Sequence, residues 1–330
     1  MNLFWKRIPK TAKFEQDMAD RHELYHSFVK TEKSKLLADY KELSEVNFKQ
    51  ARKQFKTKAE YLNSPLYEKE VRFKELSQDS DIKNYLRYEK SDAFHFIKRF
   101  TQIHAEDFSD NKLDDKRWAN AYRWSHEHIK GNYSNPGEFQ AYTEGENTEV
   151  IDGQLHIITK RKDANGRVWS EKKGFITAPF KYTSDLITGE SFTNGGGCIL
   201  IKFKLDGTEK PLQHFIRTYD EKNQRSTTVM ESLSKRKFRV GRSLRAHKET
   251  DLYSDIKGIN LEKDFHILEL EWNSEVVSWR LNGYLIHQDS RVAKISDLHL
   301  AIGSRLTGEA GSEGKIIIDY IRVYADRKGE

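Results

Sequence analysis

The chain has one cysteine, Cys198, in 330 residues. A single thiol excludes an internal disulfide and a cysteine-rich metal site. Its apolar neighbours Ile199, Leu200 and Ile201 predict a packed thiol rather than a nucleophile. Proline is scarce, five in all, and between residues 12 and 100 there is one proline, Pro65, and no glycine. That stretch lacks the glycine that two-residue β-hairpin turns favour. No apolar run approaches the ~18–20 residues that span a bilayer, so no membrane span is expected. The opening MNLFWKRIPK has basic residues but no apolar core or small-residue cleavage site. No signal peptide is read there, and a cytoplasmic location is expected.

Charge is present but unevenly placed. Residues 1–100 hold 22 Lys and Arg against 16 Asp and Glu, which is the whole net charge of +6. These bases are interspersed with acids, as on solvated helix faces, and no nucleic-acid partner is expected. The glycine-free stretch is rich in Lys, Glu, Leu, Ala and Gln. Leu24, Phe28, Leu36, Tyr40 and Leu43 recur at a spacing near 3.6, which predicts helices with one apolar face. Asn63-Ser64-Pro65 reads as a helix stop and restart, with Ser64 as N-cap. Asp79-Ser80-Asp81 reads as another start, and Ser91 as a cap for a further helix. Tyr40-Lys41-Glu42-Leu43-Ser44 recurs as Phe73-Lys74-Glu75-Leu76-Ser77, a weak internal repeat of short helices rather than a regular solenoid. A helical packing module and a protein-binding helical domain are both open.

From about residue 101 glycines appear and short alternating runs take over. Residues 155–159, 198–203, 265–272, 276–281 and 315–324 read as strands. Asn282-Gly283, Asp152-Gly153 and Asp163-Ala164-Asn165-Gly166 read as turns. The fold class is mainly β: an antiparallel jelly-roll β-sandwich over residues 101–330, preceded by an α-helical domain over residues 1–100. Phe94, Phe96, Ile97, Phe100, Ile103 and Phe108 cross the boundary with no Gly- or Pro-rich linker, which predicts that the halves dock.

Several motifs in the second half, taken in order, resemble family 16 glycoside hydrolases, the group that includes laminarinases and lichenases. They are Glu106-Asp107-Phe108 with Leu113-Asp114-Asp115-Lys116-Arg117-Trp118, then Asn135 to Thr143 with Glu138, Gln140 and Tyr142, then Glu271-Trp272 with Trp279-Arg280-Leu281-Asn282-Gly283, and Ile318 to Tyr324. The resemblance covers residues 106–326 and implies a β-glycan or other polysaccharide as ligand. It also implies a catalytic strand of pattern Glu-x-Asp-x-(x)-Glu. Here the matching positions are Ser226, Thr228 and Glu231. Retaining hydrolysis needs two carboxyl groups ~5–5.5 Å apart, and only the acid/base position, Glu231, keeps one. A one-residue bulge would bring Ser226, Thr228 and Glu231 onto one face. Arg225, Arg239 or Lys237 are the expected ion-pair partners of Glu231 if it has no role with sugars.

Candidate substrate-binding residues are Trp124, Glu138, Gln140, Tyr142, Trp169 and His214, with Tyr122 and Tyr133 as further stacking surfaces. His214 stands where the family carries a Trp, and Gln213 is the alternative register. Trp118, Trp272 and Trp279 are expected in the core. Asp220, Glu221, Glu269 and Glu271 are the carboxylates that could displace the missing pair. No cofactor is expected, except a structural calcium that the resemblance implies at Asp319 and the Gly153 carbonyl; a buried capping Asp is the alternative. No zinc-ligand spacing is expected to compete, since His126 and His128 read as a solvent-facing loop. The expected function is a catalytically impaired glycoside hydrolase-like protein that binds carbohydrate or serves as an assembly scaffold. The basic helical domain would then meet a protein partner. The alternative is an active endo-acting glucan or galactan hydrolase with a displaced carboxylate pair.

Overall fold

A computed structural model of the protein describes residues 8–29, 31–91, 93–192, 195–220, 225–243, 252–290 and 298–327. The chain divides into two compact units. One is residues 12–99, and the other is the first eleven residues with everything from Phe100 onward.

The first unit is helical: α1 (Thr11–Ser27), α2 (Glu32–Ser44), α3 (Phe48–Ala51), α4 (Lys58–Leu62), α5 (Pro65–Gln78), α6 (Ser80–Lys90) and α7 (His95–Arg99). Ser64 caps α5 by accepting from the Tyr67 amide, with Pro65 in the first turn. A proline costs nothing there, because that N–H has no partner in any helix. Asp79 caps α6 through the amides of Asp81 and Ile82. Ser91 instead ends α6: its hydroxyl donates to the Tyr88 carbonyl. The apolar positions meet in one cluster that includes Phe28, Leu43, Leu76, Ile82, Tyr85 and Phe94. Tyr40 and Phe73, equivalent residues of the sequence repeat, stack at 5.6 Å between α2 and α5.

The second unit begins with β1 (Phe100–Glu106), β2 (Trp118–Ala119), the short helix α8 (Arg123–Ile129), β3 (Ala141–Tyr142) and β4 (Thr148–Ile151). Then come β5 (Gln154–Ser170), β6 (Gly174–Ser184), β7 (Leu186–Ser191), β8 (Gly197–Asp206), β9 (Leu212–Asp220), β10 (Arg225–Ser234) and β11 (Lys237–Ser243). The last strands are β12 (Leu252–Lys257), β13 (His266–Trp272), β14 (Val277–Leu281), β15 (Tyr284–Asp289), β16 (Leu298–Leu306) and β17 (Gly314–Asp326).

Among the described residues these form two sheets. One runs β15-β14-β13-β8-β17-β5-β6-β3, with β1 beside β17 and β4 beside β5; the other runs β12-β11-β10-β9-β16-β7-β2. Alternate residues of both sheets, among them Leu155, Ile201, Ile216, Met230, Trp279 and Ile302, fill one core. Trp118, Trp272, Trp279 and Cys198 are buried in the unit. Asn282 and Gly283 both take positive φ at the β14–β15 turn, as a tight hairpin requires. The Asn282 side-chain Nδ2 also donates to the Pro9 carbonyl at 2.9 Å, which ties the start of the chain to this unit.

Residues 163–166, expected as a turn, lie within β5. The register shifts between Arg161 and Ala164, a bulge, and pairing from Ala164 opposite Phe180 to Ser170 opposite Gly174 keeps the chain extended beyond it. Gly166 serves close packing instead: a Cβ there would meet that of Ala141 at 2.8 Å.

Candidate functional site

The site lies on the face of the second sheet that points away from the core. Its geometry starts at a bulge in β10. Thr228 lies opposite Arg217 of β9, whereas Met230 lies opposite Ile216, so Val229 is an extra residue. Val229 and Met230 can then both be buried at 0% exposure, while Glu231 returns to the face of Ser226 and Thr228. Opposite residues of a ladder share a face. Glu231 therefore stands with Phe215 and Arg217 of β9, and Arg305 of β16 stands with its ladder partner Gln213.

Two arginines converge on Glu231. Arg217 Nη2 donates to its Oε1 at 2.9 Å, and Arg305 Nη2 donates to the same oxygen. Arg305 Nε also reaches Gln213 Oε1 at 3.1 Å, and its Nη1 lies 3.9 Å from Glu138 Oε1. Burial disfavours the charge of Arg305, but Glu231 and Glu138 more than offset this and raise its pKa. The expected partners of Glu231 are occupied elsewhere: Lys237 and Arg239 both bind Asp255, at 2.7 and 3.0 Å. The Arg225 side chain lies outside the described residues.

The 135–142 segment closes the site from the side. Glu138 accepts from the Asn135 amide at 2.9 Å and from the Tyr142 hydroxyl at 3.4 Å. Gln140 receives the Leu306 amide at 2.7 Å, which locks this segment to the end of β16 beside Arg305. Burial, with Glu138 close by, pushes the Tyr122 hydroxyl up to about 12 and the Tyr142 hydroxyl well above its ordinary value. Both rings pack against Leu186, Phe215 and Ala301.

Behind the segment sits Asp185, fully buried. It accepts from the amides of Thr143, Gly145 and Asn147, each at 2.9 Å, and from the Thr143 hydroxyl at 2.8 Å. Burial raises its pKa against the pull of these donors.

The structure thus brings Glu138, Gln140 and Tyr142 together with Glu231. His214 is not with them. It points to the opposite face, fully buried, with Nδ1 2.7 Å from Ser304 Oγ and Nε2 2.7 Å from the Gly207 carbonyl. Burial lowers its pKa to about 4. Gln213, the alternative register, holds the site position.

Trp169 is 43% exposed near the end of the β5–β6 ribbon, edge-on to Phe175 at 5.0 Å; Phe175 in turn meets Tyr133 at 5.1 Å. Trp124 falls on α8, and its side chain lies outside the described residues, as do those of Asp220 and Glu221. His128 is on the same helix, not in a loop. Glu269 and Glu271 belong to the other sheet, where both bind Arg280 at 2.7 Å.

The residues at Asp319 do not fit a calcium ion. Calcium takes six to eight oxygen ligands. Here Lys202 places its ammonium 3.0 Å from one carboxylate oxygen, and Gln154 donates to the other at 3.1 Å. The lysine already supplies the positive charge. Among the described residues no group of three or more His, Cys, Asp or Glu is placed to hold a metal.

No model of a known protein family matches the chain, and no curated protein matches it. Solved structures do. The laminarinase catalytic domain from Thermotoga maritima MSB8 superposes with a TM-score of 0.55 at 21% identity, over 69% of this chain and 98% of that one. An endo-β-1,3-glucanase from Pyrococcus furiosus gives 0.55 at 17% identity, over 69% and 95%. The κ-carrageenase from Pseudoalteromonas carrageenovora gives 0.52 at 14%, over 69% and 96%. A non-specific endo-β-1,3(4)-glucanase described as family GH16 gives 0.54 at 18%. The second unit has the jelly-roll fold of the family 16 glycoside hydrolases, and a helical region precedes it.

Sequence reading missed Arg217 and Arg305. The signal was present in part: β9 alternates, so Gln213, Phe215 and Arg217 must share a face. β16 was not among the expected strands, although Leu298, Leu300, Ile302 and Ser304 alternate with outward residues.

Proposed function

We propose that the second unit binds a carbohydrate chain along the face that carries Glu231 and does not carry out ordinary retaining hydrolysis. The observation that carries this reading is the pair of guanidiniums on Glu231. Its Oε1 is committed to two charge-assisted bonds, and neighbouring Ser226 and Thr228 supply no nucleophilic carboxylate. Tyr122 and Tyr142 beside Glu138, and the row Tyr133, Phe175 and Trp169, offer polar and aromatic groups of the kind that hold sugar rings. The fold is shared with proteins named for action on laminarin and κ-carrageenan.

A glycan array combined with reducing-sugar release from β-1,3- and β-1,4-linked glucans and galactans tests both halves. Binding without release is the expected result. Turnover of tens per second abolished by Glu231→Gln would overturn it.

One observation favours the second reading, an active hydrolase with a displaced pair. Glu138 and Glu231 both lie against the guanidinium of Arg305. In that case Glu138→Gln and Glu231→Gln would each abolish release. A protein with neither glycan binding nor turnover would leave assembly, with the helical unit meeting a protein partner, as its function. Among the described residues no helix is long and apolar enough to cross a membrane.

A further inference from the structure

We propose that helix α1 binds a Zn2+ ion through His22 and His26. The sequence there is His22-Glu23-Leu24-Tyr25-His26, an H-E-x-x-H pattern, which on a helix sets two histidines on one face as zinc metalloproteases do. The structural context that the pattern requires exists: α1 is helical from Thr11 to Ser27, so both histidines lie within the helix.

Residues four apart on a helix stand over one another, with Cβ atoms ~5–6 Å apart. The two imidazoles do so here. Their ring centroids are 4.3 Å apart with planes inclined by 48°, and both side chains are exposed. Zinc–nitrogen bonds of ~2.0–2.1 Å set two tetrahedral ligand nitrogens roughly 3.4 Å apart, within reach of rings so placed. Tyr25 meets the His26 ring edge-on at 5.4 Å and is itself packed on Phe94 at 5.3 Å, so the second ligand has a fixed neighbour.

Imidazole nitrogen suits zinc, nickel and copper and is a poor match for calcium or magnesium. Among the described residues no third His, Cys, Asp or Glu completes a cluster. The site is therefore a two-imidazole chelate whose other positions are open to water, distinct from the closed four-ligand sites that zinc uses structurally.

The experiment is a titration of the full chain with ZnCl2 at pH 7.5, read by calorimetry and by the imidazole resonances of the histidines. One saturable Zn2+ per chain is expected, with the His22 and His26 resonances moving together. That binding should be lost in a His22→Gln/His26→Gln variant and kept in a His128→Gln variant. Glutamine is a good helix former and both sites are exposed, so the fold should be kept; the resonance shifts in the unsubstituted protein decide the matter independently. Absence of saturable binding, shifts confined to other histidines, or binding that survives the double substitution would each overturn the proposal.

Discussion

Arg305 and Glu231 are partners across two intervening ladders: β16 carries the guanidinium, β10 carries the carboxylate, and β9 runs between them. With Arg217 of β9 on the same oxygen, the three strands are tied crosswise over the candidate site.

Glu231→Ala leaves both guanidiniums without that partner. Breaking a buried pair on one side is costly, though the two arginine side chains are each about a quarter exposed. A loss of roughly 2–3 kcal/mol of unfolding free energy is expected from urea denaturation. Glu231→Gln keeps an acceptor oxygen and should lose less.

Asp185→Asn should cost roughly 3 kcal/mol, because an amide nitrogen would turn toward donors that need an acceptor. The effect should reach the site, since Thr143 directly follows Tyr142 and Gly145 and Asn147 belong to the same loop. Hydrogen exchange of the Gly145 and Asn147 amides, much faster in the variant, would check this. Unchanged exchange would contradict it.

His214 makes stability depend on pH. Its folded pKa is lowered, to about 4 from 6.5, so the unfolded chain takes up the proton first. Its contribution is whole above pH 6.5 and falls as pH drops toward 4, by about 3 kcal/mol in all. Burial lowers His104, His156, His266 and His287 as well, in the same direction. His214→Gln should therefore flatten the slope of unfolding free energy between pH 6.5 and 4 without abolishing it.

Trp169→Ala should separate binding from folding. The side chain is 43% exposed and its ring meets Phe175 edge-on, so the melting temperature should hold within a few degrees. Glycan affinity measured by calorimetry should fall at least tenfold, about 1.4 kcal/mol. Unchanged affinity would remove the aromatic row from the site.

The sandwich was legible because alternation, Asn282-Gly283 and the ordered motifs all pointed one way. Ser64 and Asp79 announced their helices for equally local reasons. What stayed hidden was long-range. Arg217 and Arg305 meet Glu231 from 14 and 74 residues away, and only strand order brings them together. His214 was misplaced by a single step of register, which in a strand exchanges one face for the other. The turn expected at residues 163–166 failed because pairing with β6 outweighs local turn preference.

Val229 is a spare unit of backbone in β10. Removing it would leave Thr228 opposite Arg217, Met230 opposite Ile216 and Glu231 opposite Phe215, with every later side chain on the face it already has. Ironing out the bulge with all residues kept is the harmful change: Val229 opposite Ile216 would put Glu231 inward among apolar neighbours and turn Met230 out. Deleting Val229 should therefore cost little beyond its own burial, and the strand tolerates being one residue shorter at this place.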